Sequence, residues 1–283
     1  LGEGKKKLLD DNYGDLKLGT QYSMNLLRDL SNIYINDEKI EKVCLELETG
    51  FVAKDSERFK EINPEYKEAD ITYAIGYNRL DFKDKKSEQL DCLKKSPNIY
   101  KYFPMGDEIH HLSFFIHCDS FSNESNRRKL HHEKRNELIF EEISKLLISK
   151  MDEYRENCAT KYEQIFANIL LCDSTNENTK WLKPCFLDPL FEYVNRYVPT
   201  VDGRFVDSEL VKIKSTEINI PLDEVGLGDY HWYKWNENHL GGILERRAVD
   251  LKIKRWGLMD IIKNLLHKVQ RNMLIRILKM KYI

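Results

Sequence analysis

One long stretch of helical periodicity constrains the fold of this chain more than any other feature. From residue 133, apolar side chains recur on one face of a helix, namely Leu138, Ile139, Ile143, Leu146, Leu147, Met151 and Tyr154. A second helix over residues 159–171 carries Tyr162, Ile165, Phe166, Ile169 and Leu170 at the same spacing. An amphipathic helix must bury its apolar face against another layer, so the pattern predicts a helical layer packed on a sheet.

Alternating and apolar segments before these helices predict the strands of that sheet. We predict a strand over 19–27 that starts with Gly19, and half-buried strands over 41–48 and 69–77. The strand over 41–48 is predicted from the alternation of Val43, Leu45 and Leu47. The charged segment 54–67, which contains Pro64, predicts an exposed connection.

The run Leu112–Ile116 is apolar and aromatic, which predicts a buried strand directly before the long helix. Residues 40–120 together predict a small mixed or antiparallel sheet. After residue 179 a second unit is expected, with a strand pair over 198–206 joined by an Asp-Gly turn. A long amphipathic helix follows over 256–283, with its inward face formed by Leu258, Ile261, Ile262, Leu265, Leu266, Val269 and Met273.

These patterns predict an α+β fold in which a small mixed or antiparallel sheet carries a packed helical layer. A second, smaller α+β unit ending in a long helix follows it. The predicted boundaries are 1–38, a linker or the tail of a preceding domain, then 39–178 and 179–283. The chain starts with Leu rather than Met, and we expect it to be a piece of a longer protein.

Composition restricts the classes of partner. Charged residues make up 33% of the 283 residues, yet the formal net charge is only −2, so no dominant field attracts nucleic acid. No run approaches the roughly 20 apolar residues of a membrane span, so no membrane partner is expected. The six cysteines form no Cys-x-x-Cys pair and follow no secretory signal, which favours reduced thiols and a cytoplasmic location.

Two adjacent arginines, Arg127 and Arg128, lie in a polar loop between the strand 112–116 and the helix from 133. A guanidinium stays charged and donates several hydrogen bonds in one plane, which suits a phosphate group. The alternative is that both arginines pair with acidic neighbours such as Glu124 or Glu133 at the surface. Residue types alone leave both interpretations open.

The strand, the loop Asn-Arg-Arg-Lys-Leu over 126–130 and a helix with the early Asn136 resemble a segment of known proteins. A Phe-Pro turn at 103–104 precedes the strand, and the phrase Pro-Thr-x-Asp-Gly-x-Phe-Val starts at Pro199. The pattern is similar to the segment that follows the nucleotide-binding domain in GHKL ATPases of the heat-shock-protein-90-like and sacsin-like kind. The resemblance implies that Arg127 contacts the terminal phosphate of ATP, with Arg128, Asn126 and Asn136 supporting its loop.

The resemblance also implies ATP and Mg²⁺ as cofactors, an N-terminal nucleotide-binding domain as partner, and a homodimer in the parent protein. The motifs that hold the nucleotide in this family, a helix with Glu and Asn and an Asp-x-Gly-x-Gly, do not occur in this chain. A phosphate-binding Gly-x-x-x-x-Gly-Lys-Ser/Thr loop does not occur either. We therefore expect the isolated chain to be inactive, with the ATP pocket N-terminal to Leu1.

Other clusters support a rival, non-enzymatic interpretation as a scaffold that binds protein or nucleic acid. The aromatic run 231–235 could stack bases or form a small core, and the basic terminal helix could contact nucleic acid. Several His residues near Cys118 raise a zinc hypothesis, but successive strand residues point to opposite faces, so His117 and Cys118 do not share a metal. We predict no metal site.

Overall fold

The computed structural model describes residues 13, 17, 20–22, 24–25, 32–35, 37–42, 45–64, 69–82, 98–101, 105, 111–125, 129–173, 175–215, 229–235 and 240–281. The chain divides into a first unit, Leu1–Asp81 with Lys86–Phe191, and a second unit, Phe82–Lys85 with Glu192–Ile283. Both units mix helices with small sheets, which confirms the predicted α+β class. The predicted boundary lay between 178 and 179, whereas the structure divides the chain between Phe191 and Glu192.

Besides helical residues before residue 26, the described part of the first unit contains six strands and three helices, followed by a short 3₁₀-helix, Glu177–Thr179, and a π-helical turn, Lys183–Leu187. In chain order they are β1 (Tyr34–Ile35), β2 (Glu38–Lys39), β3 (Leu45–Val52), α1 (Glu57–Ile62), β4 (Ile71–Asn78), β5 (Ile99–Tyr100), β6 (Phe114–Cys118), α2 (Lys134–Asn157) and α3 (Ala159–Leu171). Helix α4 (Asp188–Arg196) crosses into the second unit.

A four-stranded sheet with the order β3-β4-β6-β5 forms the centre of the first unit. Strands β3, β4 and β6 are antiparallel neighbours, while β5 runs parallel to β6, so the sheet is mixed as predicted. Ile75 of β4 lies opposite both Glu48 and Ile116 in register. These three residues therefore share one face of the sheet.

Helices α2 and α3 supply the predicted helical layer. Their buried apolar positions include most of the predicted ones, while Leu146 and Tyr154 are half-buried. The ring of Phe114 meets Phe186 edge to face at 6.1 Å, and Phe186 lies 5.8 Å from Phe140 of α2. Aromatic packing thus joins the sheet, α2 and the π-helical turn in one core.

The predicted strand over 19–27 is wrong. Thr20, Gln21, Tyr22, Met24 and Asn25 are helical, and Leu26 and Leu27 lie outside the described residues. The Asn25 carboxamide donates to the Gln21 and Tyr22 carbonyls, and the Tyr22 ring stacks on Phe115 at 4.2 Å. The buried Tyr22 and Asn25 are three residues apart, and this helical spacing competes with the alternation that the sequence suggested.

The prediction of an exposed connection over 54–67 is also wrong. Helix α1 lies within it and buries Phe59 and Ile62, which are spaced three residues apart among charged residues. Ser56 begins the helix, since its Oγ accepts a hydrogen bond from Phe59 N at 3.1 Å. The high charge of the segment concealed a short amphipathic helix.

Strand β3 exists where a strand was predicted, but its buried face is the opposite one. Leu47 is 39% exposed, whereas its neighbour Glu48 is only 7% exposed. The Glu48 carboxylate accepts hydrogen bonds from Tyr154 Oη at 2.6 Å and from Tyr77 Oη at 3.5 Å. The hydrogen bonds from these two phenols compensate the desolvation cost of burying the carboxylate. Glu48 can therefore lie on the inner face of β3, while Leu47 lies on the outer face.

The second unit contains two small sheets in its described part. Its elements are β7 (Val198–Pro199), β8 (Phe205–Val206), β9 (Val211–Lys214), β10 (His231–Trp232), α5 (Leu240–Arg247), β11 (Lys254–Trp256) and α6 (Leu258–Lys281), with 3₁₀-helices at Ser208–Leu210 and Ala248–Leu251. Strands β7 and β8 form the predicted hairpin, in which Gly203 adopts a φ of 77°. Strand β9 is the centre of a sheet in which β10 and β11 are both parallel to it.

The long terminal helix was correctly predicted, but the predicted inward face of α6 is not inward. Ile261 is 4% exposed and packs with Trp232. The other predicted positions up to residue 269 remain exposed, namely Leu258, Ile262, Leu265, Leu266 and Val269. Among the described residues, no helix combines the length and apolarity needed to cross a bilayer.

Candidate functional site

The predicted arginine loop lies in a hairpin that follows β6. Asn123 and Leu130 form an antiparallel bridge, and Glu124 N donates to the Lys129 carbonyl at 2.9 Å. His131 N closes the base by donating to the Ser122 carbonyl at 3.1 Å. The two sides of the loop are therefore held together from residue 122 to residue 131.

Three of the four predicted site residues, Asn126, Arg127 and Arg128, lie outside the described residues. In the chain they stand between Glu124 and Lys129, whose backbones are hydrogen-bonded to each other. The structure thus defines the base of the arginine hairpin, which is formed by residues 122–124 and 129–131 on either side of the two arginines in the sequence. The phosphate-binding role of Arg127 and the supporting roles of Arg128 and Asn126 stay predictions.

Asn136, the fourth predicted residue, holds this base to the first turn of α2. It is completely buried. Its Oδ1 accepts from Ser122 N at 2.9 Å, while its Nδ2 donates to the carbonyls of Ser122 at 2.7 Å and His131 at 2.8 Å. A carboxamide suits this position because it accepts and donates at once, which an ionised carboxylate cannot do.

Lys101, directly after β5, provides a second clamp that sequence reasoning missed. Its Nζ donates to the Phe121 carbonyl at 2.6 Å and to Asn123 Oδ1 at 3.2 Å. The two partners are 20 and 22 residues away in sequence. No local pattern signals such a contact, because it exists only once β5 and β6 are paired.

Aromatic side chains anchor the hairpin base in the core of the first unit. Phe121 is fully buried and stacks on Phe140 of α2 at 5.2 Å. On the other side of the hairpin, His132 stacks on Trp181 at 4.7 Å, and Trp181 in turn meets Phe140 at 5.5 Å. Both packing and hydrogen bonds therefore fix the base of the hairpin against α2.

A polar cluster in the second unit surrounds the Asp-Gly turn between β7 and β8. Asp202 Oδ2 lies 3.1 Å from His231 Nδ1 and 3.3 Å from Arg204 Nε, and Thr200 Oγ1 donates to Asp202 Oδ1 at 2.5 Å. Partial burial by itself raises the pKa of Asp202, but the hydrogen bonds from Thr200 and His231 outweigh it and lower that pKa. Backbone bonds run beside this cluster, with Val201 N donating to the Trp232 carbonyl at 3.0 Å. The cluster joins the hairpin to β10.

Lys212, on the central strand β9, is a second unusual group in the second unit. The residue is only 5% exposed, and its Nζ donates to the carbonyls of Val211 and Glu209. The ammonium lies 4.4 Å from the Tyr230 ring centroid and 5.7 Å from that of Trp256. Burial, followed by the nearby charge of Lys254, lowers the pKa of Lys212. These contacts satisfy the ammonium internally, so we assign it a structural role.

The aromatic run 231–235 forms a small core. Trp232, Tyr233 and Trp235 are all nearly or fully buried, and the Trp235 ring lies 5.6 Å from Tyr233 and 5.2 Å from Phe82. Buried rings cannot stack on nucleic acid bases. The buried rings of the run 231–235 therefore give no support to the interpretation that this run stacks on nucleic acid bases.

The zinc hypothesis finds no support among its described residues, while His110 lies outside the described part of the chain. In the described part of the chain, no three His, Cys, Asp or Glu side chains are grouped closely enough to hold a metal ion. His117 Nε2 lies 3.2 Å from Asp119 Oδ1. Cys118 is fully buried, and burial raises the pKa of its thiol to about 12.

The candidate site is chosen from the geometry of the chain, because comparison with other proteins found no match. No protein-family model, no curated protein and no solved structure matches the chain. The clamped hairpin after β6 is the candidate site that the described residues define best.

Proposed function

We propose that this chain is the middle, or transducer, segment of a multidomain GHKL-type ATPase of the heat-shock-protein-90-like kind. In this proposal Arg127 contacts the terminal phosphate of ATP, which the nucleotide-binding domain of the parent protein holds together with Mg²⁺. The observation that supports it is the buried Asn136 carboxamide, which holds both sides of the arginine hairpin to α2. Such a clamp is expected where a loop must present a charged side chain in a fixed place.

Fixed placement matters because an arginine stabilises a developing phosphoryl charge only when it is already oriented towards it. A mobile arginine spends part of the binding energy on its own ordering. The bonds of Asn136 and Lys101, together with the buried Phe121, fix the hairpin base before any nucleotide arrives. In this proposal Arg127 then meets the phosphate from a base that is already fixed.

The same base supports a coupling mechanism. If ATP draws the hairpin towards the nucleotide-binding domain, the pull reaches the first turn of α2 through Asn136. Helix α2 has 24 residues and packs against the sheet, α3 and the π-helical turn. Nucleotide state would thereby be converted into a shift of a long, buried helix.

The test is the turnover of ATP by the parent protein that contains this chain. Arg127→Ala should lower turnover strongly, since an arginine supplied to the phosphate from another domain contributes about 10³ to 10⁵ in rate in well-studied NTPases. The dissociation constant of ATP, measured with a fluorescent analogue, should change little. Lys134→Ala is the matched control, because Lys134 is a 66% exposed cation in the first turn of α2.

Each variant separates one part of the proposal. Arg128→Ala should have a smaller effect on turnover than Arg127→Ala, because Arg128 only supports the loop. Asn136→Ala should lower turnover while Arg127 is still present, since it frees the hairpin base. Turnover that is unchanged in Arg127→Ala, or reduced equally in Lys134→Ala, contradicts the proposal.

A second candidate function is a non-enzymatic scaffold that binds protein or nucleic acid. The observation that favours it is the exposed apolar face of α6, where Leu258, Met259 and Leu266 are each more than half exposed. A shift of DNA or RNA mobility by the chain that weakens steeply with salt would favour the nucleic-acid form of this candidate, because neutralised phosphates release counterions.

A further inference from the structure

Helix α6 carries an apolar face that the described part of the second unit leaves uncovered. Among positions 258–270, Ile261 is its only buried apolar residue, and it packs with Trp232. Six other apolar side chains are 38% to 62% exposed, namely Leu258, Met259, Ile262, Leu265, Leu266 and Val269. A contiguous apolar face of this size marks a surface that contacts another molecule or a membrane.

These six side chains form one continuous arc on α6. At 3.6 residues per turn they fall within about 120° of the helix circumference, with Leu265 at one edge and Met259 at the other. Ile261 lies outside the arc, on the side that packs with Trp232. The exposed Asp260 and His267 lie roughly opposite the arc. One edge of α6 therefore holds it to the second unit, while a separate face is apolar and exposed.

Positive charge borders the same arc. Lys263 and Lys268 are both exposed, and they lie on either side of the arc, about 40° and 60° beyond its edges. A lysine at such a border can extend its methylene groups along the apolar face and keep its ammonium at the rim. Residues 252–283 contain nine of the 45 lysines and arginines of the chain but only one of its 47 acidic residues, Asp260. The partner of this face should therefore be apolar and negatively charged.

We propose that this partner is an anionic lipid surface, on which α6 lies parallel to the plane of the membrane. A basic amphipathic helix in this position buries its apolar face at the boundary between headgroups and acyl chains, and its flanking lysines meet negative headgroups. The apolar face covers residues 258–269 and is about 18 Å long, against about 30 Å for the hydrocarbon core of a bilayer. The expectation of no membrane partner rested on the absence of a span, which a helix in the interface does not need.

Other occupants match only half of these observations. Nucleic acid would neutralise the cations through its phosphates but would leave the six apolar side chains in water. A second copy of α6 would cover the apolar side chains but would bring two basic helices together. A lipid surface that contains phosphatidylserine satisfies both the apolar and the charged groups. This inference does not depend on the proposed ATPase function.

The first experiment measures sedimentation of the complete chain with vesicles in which about one lipid in three is phosphatidylserine and the rest is phosphatidylcholine. We expect the chain to sediment with these vesicles, to bind pure phosphatidylcholine vesicles much more weakly, and to be released as salt is added. Failure to sediment with the phosphatidylserine vesicles would overturn the proposal. Equal binding to both kinds of vesicle would overturn the choice of an anionic surface.

Neutral substitutions then test the apolar face. Ile262→Gln and Leu266→Gln should each weaken binding to the phosphatidylserine vesicles at least about tenfold, because each removes a large apolar side chain from the buried arc. His267→Gln is the matched control, since it introduces the same residue at an exposed position opposite the arc and should leave binding unchanged. Circular dichroism establishes that all three variants are folded. Binding that is insensitive to both apolar substitutions would overturn the proposal.

Lysine substitutions test the charged border. Lys263→Gln and Lys268→Gln should each weaken binding to phosphatidylserine vesicles about fivefold. Lys183→Gln, which removes an exposed lysine from the first unit, is the control and should have no such effect. A DNA mobility shift that both lysine variants weaken and Leu266→Gln leaves intact, in a chain that does not bind vesicles, would identify nucleic acid as the partner and overturn the proposal.

The last experiment tests the orientation of α6 on the membrane. Val269→Trp and His267→Trp place a new indole on the apolar arc and opposite it. Vesicles that also contain phosphatidylcholine brominated on its acyl chains should quench the added fluorescence of Val269→Trp and leave that of His267→Trp nearly unchanged. Equal quenching of the two would contradict a helix that lies in the interface with this face inward.

Discussion

The cysteine thiols of this chain differ in reactivity because their surroundings differ. Cys158 is half-buried at the start of α3, where hydrogen bonds with Thr160 Oγ1 and the Lys161 N–H lower the pKa of its thiol. Cys118 and Cys185 are buried, and burial raises the pKa of each to about 12. The thiolate is the reactive form, so only Cys158 of these three is set up to react near neutral pH.

We therefore expect iodoacetamide at neutral pH to alkylate Cys158 at least about 10²-fold faster than Cys118 or Cys185 in the folded protein. Peptide mass spectrometry over a time course measures the three rates separately. Thr160→Val removes the hydroxyl that interacts with the thiol and should slow Cys158 without affecting the other two. Equal labelling of all three in the native state would show that the buried thiols are accessible.

At the scale of single residues, the sequence showed some functional groups and concealed others. Asn136 could be singled out because it follows closely on the loop 126–130 in the pattern that carries the family resemblance. Lys101 and Glu48 could not, since their partners are brought near only by the pairing of strands and the packing of α2. Glu48 also has the wrong polarity for a buried strand position, so only its two tyrosine partners explain it.

At the scale of elements, the β7–β8 hairpin is tied to β10 through a titratable group. Asp202 contacts Thr200, Arg204 and His231, and the hydrogen bonds lower the pKa of Asp202 against the opposing effect of burial. A carboxyl group whose pKa is lower in the folded state stabilises the fold above its unfolded pKa of about 3.9. That stabilisation disappears as the pH falls through the lower, folded pKa.

Asp202→Asn should accordingly reduce the free energy of unfolding at pH 7, and the difference from the unsubstituted protein should shrink as the pH falls below the unfolded pKa of about 3.9 and through the lower, folded pKa. The Asp202 side chain is 47% exposed, so solvent screening keeps the effect below about 1 kcal/mol. Urea unfolding at a series of pH values measures it. Asp229→Asn, which removes an exposed carboxylate from the turn before β10, is the matched control for the loss of one negative charge. A difference that grows towards acid pH would contradict the assignment.

Elements were predictable where one periodicity dominated, as in α2 and α3, and the Asp-Gly turn was predictable from its chemistry. They were not predictable where two patterns compete in a short segment. Around Tyr22 an alternation coexists with helical spacing, and in α1 only Phe59 and Ile62 are apolar among charges. Burial against Phe115, a distant residue, decides the first case.

At the scale of the whole molecule, the α+β class could be predicted from the order of strands and helices. What the apolar face of a helix packs against could not be predicted in this way. The face of α6 was predicted to be inward because an amphipathic helix normally packs on its own domain. The second unit uses a different edge of α6, through Ile261 and Trp232, and leaves the main face exposed. Periodicity shows that a face is apolar but does not show which molecule covers it.

The division into two units predicts separable unfolding. Each unit has its own sheet and core, and the four tryptophans report on them unequally. Trp181 belongs to the first unit, while Trp232, Trp235 and Trp256 belong to the second. Asn136→Ala removes three buried hydrogen bonds from the first unit, which should cost it about 1–3 kcal/mol.

Urea unfolding followed by tryptophan fluorescence tests this prediction. In the Trp181→Phe background, fluorescence comes from the second unit alone, and adding Asn136→Ala should leave its midpoint unchanged. With Trp232, Trp235 and Trp256 replaced by Phe instead, Trp181 reports the first unit, and the same substitution should lower the midpoint. The two backgrounds differ in which unit the tryptophan fluorescence reports. Comparing the shifts of the unfolding midpoint between them therefore distinguishes two independently unfolding units from one cooperative unit. Equal shifts in both backgrounds would mean that the clamp of Asn136 stabilises the entire chain, and that its energy is not confined to the unit that carries the arginine hairpin.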